Sequence, residues 1–510
     1  LKSNLNMYLK SNKVNSFLTI SFIIFTAYFF LRVDLYRLII NFSVDDTFYY
    51  YKVAQNFLEY KTFTFDGVNI TNGFHPLHTY LLIPIFIFDL SQEQFVFIAK
   101  FFEIFFVFVS SILFSLSFKN TNFNYFAILV FFTGVFYSHN LIGMEVSASY
   151  LSVFIFIFIN SKFVEKPTLL NSHLFAVANI IIFFGRFEFI AISFGSYLLY
   201  YFLIYFDKKR FFHLKNRINS SFLTFLSLFF VYFIYTTEVL GGFIPVSGRT
   251  KSTIFSGSQE GLFLSNFLEL LGFKKYLIGS IVSILSIIVI VLNAFYIKNN
   301  RNSLGNAKAN LFIKIEFPLF LLSFLTLSRL LYFSYSVKPV FAKYSWYFVN
   351  QQVLIVLFIC YSYLLLANYF FDTKQDIKKY LIVLYLIVPI GYLLNSSLLF
   401  DKLNTNLKPE WEIASYHAAK LLNNNFTEKE KPFIASSDSG TLGYFYSGKT
   451  FNTDGLINST KFFESKIRGQ GVQFLLKQNP DFYINSIQIG YEEDGNKAVV
   501  NSISRGRFKQ

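Results

Sequence analysis

Apolar runs broken by short polar loops repeat along this chain from residue 16 to residue 398. The runs at 16–31, 95–117, 123–138, 146–160, 172–187, 189–206, 219–236, 276–296, 312–332, 350–370 and 380–398 approach or reach the length that carries a helix across a bilayer core. Unpaired backbone amides are costly in lipid, so such runs resolve into helices rather than open strands. One further run, 77–88, is too short to cross and reads as an interfacial or re-entrant helix. The pattern predicts an all-α polytopic membrane protein with about eleven transmembrane helices.

Loop charge orients the spans. Lys2, Lys10 and Lys13 precede the first run, which puts the N-terminus in the cytoplasm and the polar stretch after the run outside. With 77–88 left uncrossed, the basic loops fall on one side. These hold Lys119; Lys162 and Lys166; Lys208, Lys209, Arg210, Lys215 and Arg217; Lys298, Arg301, Lys308 and Lys314; and Lys374, Lys378 and Lys379. A crossing at 77–88 would send the Lys208 cluster outward, against the positive-inside rule. A cleaved signal peptide is the competing reading of the first run, but Arg32, Val33 and Asp34 after it offer no small-residue cleavage site.

From about residue 400 the pattern changes: charge, Asn, Ser and Gly rise and no apolar span follows. Candidate strands at Phe433–Ser436 and Asp481–Asn485 alternate with helical stretches such as Pro409–Leu422. Residues 400–510 are therefore expected to form a small α/β domain, and 1–399 the transmembrane domain, whose first outer loop is 32–76. An odd number of spans places the tail domain outside, on the side of that loop.

Composition sharpens the class. The 510 residues are 54% hydrophobic and 15% charged, with a mean hydropathy of +0.45; soluble domains carry about 25% charged residues. A net charge of +15 would suit nucleic acid, but the basic residues sit where the positive-inside rule puts them, which argues for the lipid bilayer and against a nucleic-acid partner. Cys360 is the single cysteine, so an internal disulfide is excluded and the residue reads as a packed small hydrophobe.

The candidate chemistry gathers in the outer loops. They hold Asp45, Asp46, Asp66, His75, Glu145, Arg186, Glu188, Glu238, Arg249, Lys251, Lys338 and Lys343, while the spans hold few ionisable groups, Glu103 being the plainest exception. Adjacent carboxylates near a bilayer repel each other and lose hydration, so Asp45 and Asp46 call for a function. A carboxylate can take the proton from an attacking hydroxyl, and Arg or Lys can neutralise a phosphate leaving group. The stretch GGFIPVSGRTKS, Gly241–Ser252, sets Arg249 and Lys251 among turn residues in a loop suited to wrap a phosphate. Plainer readings stand beside these. Asp45 would serve as a helix N-cap, at about 1 kcal/mol. Asp66, Asp438 and Asp454 read as turn residues, and basic residues at a membrane edge as snorkelling anchors.

The first loop, VDDTFYYYKVAQNFLEYKTFTFDGVNITNGFHPLH, resembles that of bacterial GT-C superfamily membrane glycosyltransferases, in which an acidic pair follows the first span and a Thr-Asn-Gly-aromatic-x-Pro-Leu stretch ends the loop. NLIGMEVSASYL is similar to their second acidic outer loop, FGRFEF to their Arg-x-acid turn, GGFIPVSGRTKS to their Pro-x-Ser…Lys loop, and KYSWYFV to the aromatic stretch before a late span. SSDSGTLGYFYSGKTFNTDGLIN resembles their outer tail domain. GRFEF and HPLH depart from the forms expected. The resemblance implies a GT-C-like, multi-pass protein of the inner (plasma) membrane. Such an enzyme moves a sugar from a polyprenyl-phosphate donor to a hydroxyl of a glycan, lipid or protein acceptor on the outer face, usually with inversion. It implies Asp45 as general base, Asp46 as its orienting partner and Glu145 as a supporting or metal-binding acid. Arg249, Lys251 and Lys343 become candidates for the carrier phosphate, and Asn72 and His75 for the sugar pocket; Arg186, Glu188 and Trp346 fall in its other site motifs. A divalent cation is compatible with these acids but not specified by them. A flippase or transporter of an envelope lipid or glycan is the alternative. Transporters place acids at mid-membrane depth, and the acid-rich first loop over acid-poor spans favours the enzyme.

Overall fold

The computed structural model describes residues 2–118, 122–136, 141–206, 211–253, 263–299, 306–336, 344–366, 382–387, 389–390, 403, 411–484, 489–491 and 498–500. The expected span at 380–398 and the residues Lys338 and Lys343 lie largely or wholly outside this set. So does the side chain of Trp346, which itself falls in a 3₁₀ turn, Ser345–Phe348.

The chain is a helical, multi-pass membrane protein with a small sheet-containing tail. Its helices are α1 (Lys2–Arg32), α2 (Leu35–Asn41), α3 (Asp45–Tyr60), α4 (Pro76–Leu82), α5 (Gln92–Ser117), α6 (Phe126–Phe136), α7 (Val146–Glu165), α8 (Leu169–Gly185), α9 (Ile190–Phe206) and α10 (Lys215–Glu238). Then come α11 (Val246–Thr253), α12 (Phe263–Gly272), α13 (Lys274–Asn299), α14 (Asn306–Ser336) and α15 (Val349–Leu365). Seven helical stretches among the described residues are long and apolar enough to cross a membrane: Lys13–Arg32, Gln92–Ser117, Val146–Glu165, Phe187–Tyr205, Phe212–Glu238, Lys274–Asn293 and Lys314–Tyr335. Three other expected spans appear as shorter apolar helices, α6, α8 and α15, and so does Pro76–Phe88, the run read as too short to cross.

Local sequence sets the boundaries. Ser91 and Gln94 cap α5 reciprocally, Ser91 Oγ accepting the Gln94 amide at 3.2 Å and Gln94 Oε1 accepting the Ser91 amide at 2.9 Å. Thr168 opens α8 by accepting the Asn171 amide at 3.2 Å. Helix α3 differs from the capping reading of Asp45. Its N-cap is Val44, and Asp45 is already the first helical residue. Both aspartates lie in the first turn, where the exposed amides favour negative charge. The helix stops at Lys61, which adopts φ +56°.

The tail domain follows with α16 (Trp411–Asn425), β1 (Ile434–Ser436), α17 (Gly440–Phe445), β2 (Thr450–Asn452), α18 (Thr460–Ile467), α19 (Gly471–Gln478) and β3 (Phe482–Ile484). The three strands form a parallel sheet in the order β2-β1-β3. The strands β4 (Ile489–Tyr491) and β5 (Ala498–Val500) pair antiparallel in a separate two-stranded sheet. The domain rests on the first loop: α17 packs along α3, and Phe48 lies against Tyr444 and Phe445. Gly440 permits this approach, since a Cβ there would meet the Asp45 carbonyl oxygen at 2.0 Å.

Candidate active site

A cleft opens where α3, the loop before α4, the start of α7, the α8–α9 joint, α11 and the tail domain meet. It is lined by Asp46, Tyr49, Tyr50, Gly73, His75, Met144, Glu145, Arg186, Ser247, Lys251, Tyr347, Leu456 and Ile457. Five of the expected residues are thus brought together: Asp46, His75, Glu145, Arg186 and Lys251.

The two aspartates part company because successive residues on a helix point about 100° apart. Asp45 turns toward the tail domain. Its Oδ2 accepts the Gly440 amide at 2.8 Å, and its Oδ1 accepts the Thr441 amide at 2.8 Å and the Thr441 hydroxyl at 2.9 Å. Desolvation pushes its carboxyl well above the usual carboxylate range, against the pull of those donors. One turn on, Tyr49 shares this face: its hydroxyl donates to Asp454 Oδ2 at 2.9 Å and accepts from the Ser439 amide and the Asn452 amide group. Asp46 turns into the cleft. Desolvation lifts its carboxyl to about 6; Lys251 pulls it down, and Asp454, Asp438 and Glu145 push it further up. Tyr50, one turn from Asp46, donates to Glu145 Oε2 at 2.9 Å.

Glu145, just ahead of α7, is held from three sides: Arg186 Nη1 donates to its Oε1 at 2.7 Å, His75 Nε2 stands 3.6 Å from the same oxygen, and Tyr50 holds the other. Burial would raise its carboxyl, but His75 and Arg186 outweigh burial and keep it below the ordinary value. The two cleft acids are therefore pushed apart: Glu145 stays ionised while Asp46 titrates close to neutrality. Burial lowers the His75 pKa despite Glu145, and its buried Nδ1 has no hydrogen-bond partner among the described residues. Lys251 is also desolvated, yet Tyr347, Asp46 and Glu145 outweigh that cost and hold its ammonium above the usual lysine value.

Other expected residues stand around the cleft rather than in its wall. Asn72 pins the Gly241–Ser252 loop, donating to the Gly242 carbonyl at 2.6 Å and accepting the Val246 amide at 2.9 Å. Glu188 backs Arg186, accepting its Nε at 2.7 Å. Arg249 faces the tail domain, 4.4 Å from the Phe463 ring centroid and 3.9 Å from Glu464. Among the wall residues that the sequence reading did not name as site candidates, three bear polar groups of interest, Tyr50, Tyr347 and Ser247. Tyr50 carried a signal, four residues after Asp46 on an expected helix. Tyr347, whose ring lies 5.5 Å from the Arg186 guanidinium and 5.6 Å from the Lys251 ammonium, and Ser247 each fell inside a stretch already singled out, KYSWYFV and GGFIPVSGRTKS, without being named.

The wall does not read as a protein-built divalent-cation site. Among the described residues no three His, Cys, Asp or Glu side chains gather where they could hold a metal ion. Glu145 is already committed to Arg186, Tyr50 and His75, which leaves Asp46 as the open carboxylate. Chemically, the cleft offers a base of near-neutral pKa opposite a fixed cation.

No family model matches the chain, and no curated protein matches it. Solved structures similar to it include the apo oligosaccharyltransferase of Archaeoglobus fulgidus, with 11% identity and a TM-score of 0.47, over 88% of this chain and 66% of that one. Another is the same organism's oligosaccharyltransferase AglB in complex with an inhibitory peptide and a dolichol-phosphate, also at 11% identity and a TM-score of 0.47, over 96% of this chain and 74% of that one. This chain thus spans just under two thirds of the first of these structures. Likeness at this level assigns no activity to the chain.

Proposed function

We propose that this protein is a GT-C type membrane glycosyltransferase that moves a sugar from a polyprenyl-phosphate carrier to a hydroxyl acceptor. The observation that carries the reading is the pairing of Asp46, an acid with a pKa near neutrality, with Lys251 across one cleft at the end of a helical bundle. The first-loop resemblance supplies the substrate class.

In this reading Asp46 is the general base, in place of the Asp45 expected from the loop motif. Asp46 accepts the proton of the acceptor hydroxyl as that oxygen attacks the anomeric carbon. The bond from that carbon to the carrier phosphate oxygen breaks, and Lys251 balances the charge left on the phosphate. Attack opposite the leaving group inverts the anomeric centre. Arg186 is spent largely on Glu145 and Glu188 and keeps the cleft wall in shape. The carrier's apolar tail stays in the bilayer, the cleft faces the extracytoplasmic side of the inner membrane, and the tail domain closes it from there through Leu456 and Ile457.

The test is direct: purified protein in lipid nanodiscs with a labelled polyprenyl-phosphate sugar and a hydroxyl acceptor. Acceptor-dependent release of polyprenyl phosphate supports the reading. Transbilayer movement of the lipid with its sugar bond intact would replace it with the transporter.

A further inference from the structure

Nothing in the cleft accounts for the two charged side chains buried inside α5. Lys100 and Glu103 are 0% and 2% exposed and pair at 3.2 Å. An ion pair in this setting is expensive, and such groups in membrane helices usually serve a function. Their remaining contacts all reach one short segment. Lys100 Nζ donates to the Leu141 carbonyl at 3.1 Å, and the Gly143 amide donates to Glu103 Oε2 at 3.3 Å.

The same segment is gripped from two more elements. The Thr47 hydroxyl, on α3, donates to the Ile142 carbonyl at 2.5 Å and accepts the Val44 amide at 3.2 Å. His78, on α4, meets the Gly143 carbonyl through Nε2 at 3.1 Å and packs edge-on against Tyr50, with centroids 5.0 Å apart. Gly143 has φ +80°, and a Cβ there would lie 2.1 Å from Thr47 Cγ2. Side chains from three elements thus fix Leu141, Ile142 and Gly143. Two residues later comes Glu145, the cleft's ionised acid.

We propose that Thr47, His78, Lys100 and Glu103 form a positioning cradle that holds the Leu141–Glu145 segment in register with the first turn of α3. Thr47 is the link, since one hydroxyl ties the helix start bearing Asp46 to the segment bearing Glu145. None of the four lines the cleft. They act through Glu145 and the Arg186, His75 and Tyr50 contacts it organises.

The kinetic half of the test rests on the transferase reading; the exchange half does not. Thr47→Val keeps the side-chain shape and removes the hydroxyl, Thr47→Ser keeps the hydroxyl, and Lys100→Met/Glu103→Leu removes both charges together. In nanodiscs, amide hydrogen exchange at 141–145 should rise about tenfold in Thr47→Val and in the double variant, with exchange in the spans unchanged. The value of kcat should fall about tenfold with the donor KM within about twofold, and Thr47→Ser should restore both readouts. Unchanged exchange in Thr47→Val and in the double variant overturns the cradle. So does a loss of activity that Thr47→Ser shares, or one matched by a fall in the heat-denaturation midpoint of the whole protein. If the wild type transfers no sugar, the transferase reading fails while exchange at 141–145 still decides the cradle.

Discussion

The two faces of the first turn of α3 carry the same chemical group and use it differently. On one face Asp45 and Tyr49 are saturated by the tail domain, through Gly440, Thr441, Ser439, Asn452 and Asp454. On the other, Asp46 and Tyr50 look into the cleft, where no described group donates a hydrogen bond to Asp46 and its pKa stands about 6. In the proposed reading the carboxylate whose oxygens are filled by donors is a fastener, and the one left open is the reagent. One residue of helical rotation separates the roles.

The largest effect should come from emptying the open face. Asp46→Ala removes the base, and kcat should fall about a thousandfold, the middle of the range for general-base loss; acceptor-dependent release of polyprenyl phosphate measures it. Lys251→Met comes next, with a loss in kcat/KM of about a hundredfold, as one charge-assisted phosphate contact disappears. Donor titration of steady-state rates checks that value. The pH profile sharpens the contrast further. Asp46 must be ionised to accept a proton, and its pKa is raised, so kcat/KM should be flat above about 6 and fall about tenfold per pH unit below it. A limb near 4 would mean an acid with an unshifted pKa. Arg249→Gln should matter least, changing kcat/KM less than about threefold. Its guanidinium lies over Phe463 beside Glu464, and a pair so exposed is worth little.

Much of this was legible in the sequence. Long apolar runs give spans that the described helices follow, and the strands at 434–436 and 482–484 fall within the stretches expected at Phe433–Ser436 and Asp481–Asn485. The clustering of Asp46, His75, Glu145, Arg186 and Lys251 followed from sorting loops by side. Sequence could not assign roles within the DD pair. The direction of a side chain in the first helical turn depends on where the helix starts, and the start at Asp45 with an uncharged Val44 cap is set by Thr47 and the Gly440 approach, both tertiary. Arg249 and Lys251 were likewise inseparable, two positions apart in one basic stretch yet on different faces of α11. Glu103 stood out as an acid in a span, but its partners, Lys100 and the Gly143 amide, become visible only when α5 meets the 141–145 segment.

The most direct test of the division between the two aspartates is a single-turnover comparison of Asp45→Asn and Asp46→Asn, with heat-denaturation midpoints taken on the same nanodisc preparations. Asp46→Asn should lose transfer by about a thousandfold without a lower midpoint. Asp45→Asn should keep transfer within about tenfold and unfold earlier, because an amide nitrogen replaces one of the two oxygens that accept from Gly440 and Thr441 and leaves a buried donor unmet, at about 2 kcal/mol. A folded Asp46→Asn that transfers at the wild-type rate, beside an inactive Asp45→Asn of unchanged midpoint, would contradict the account.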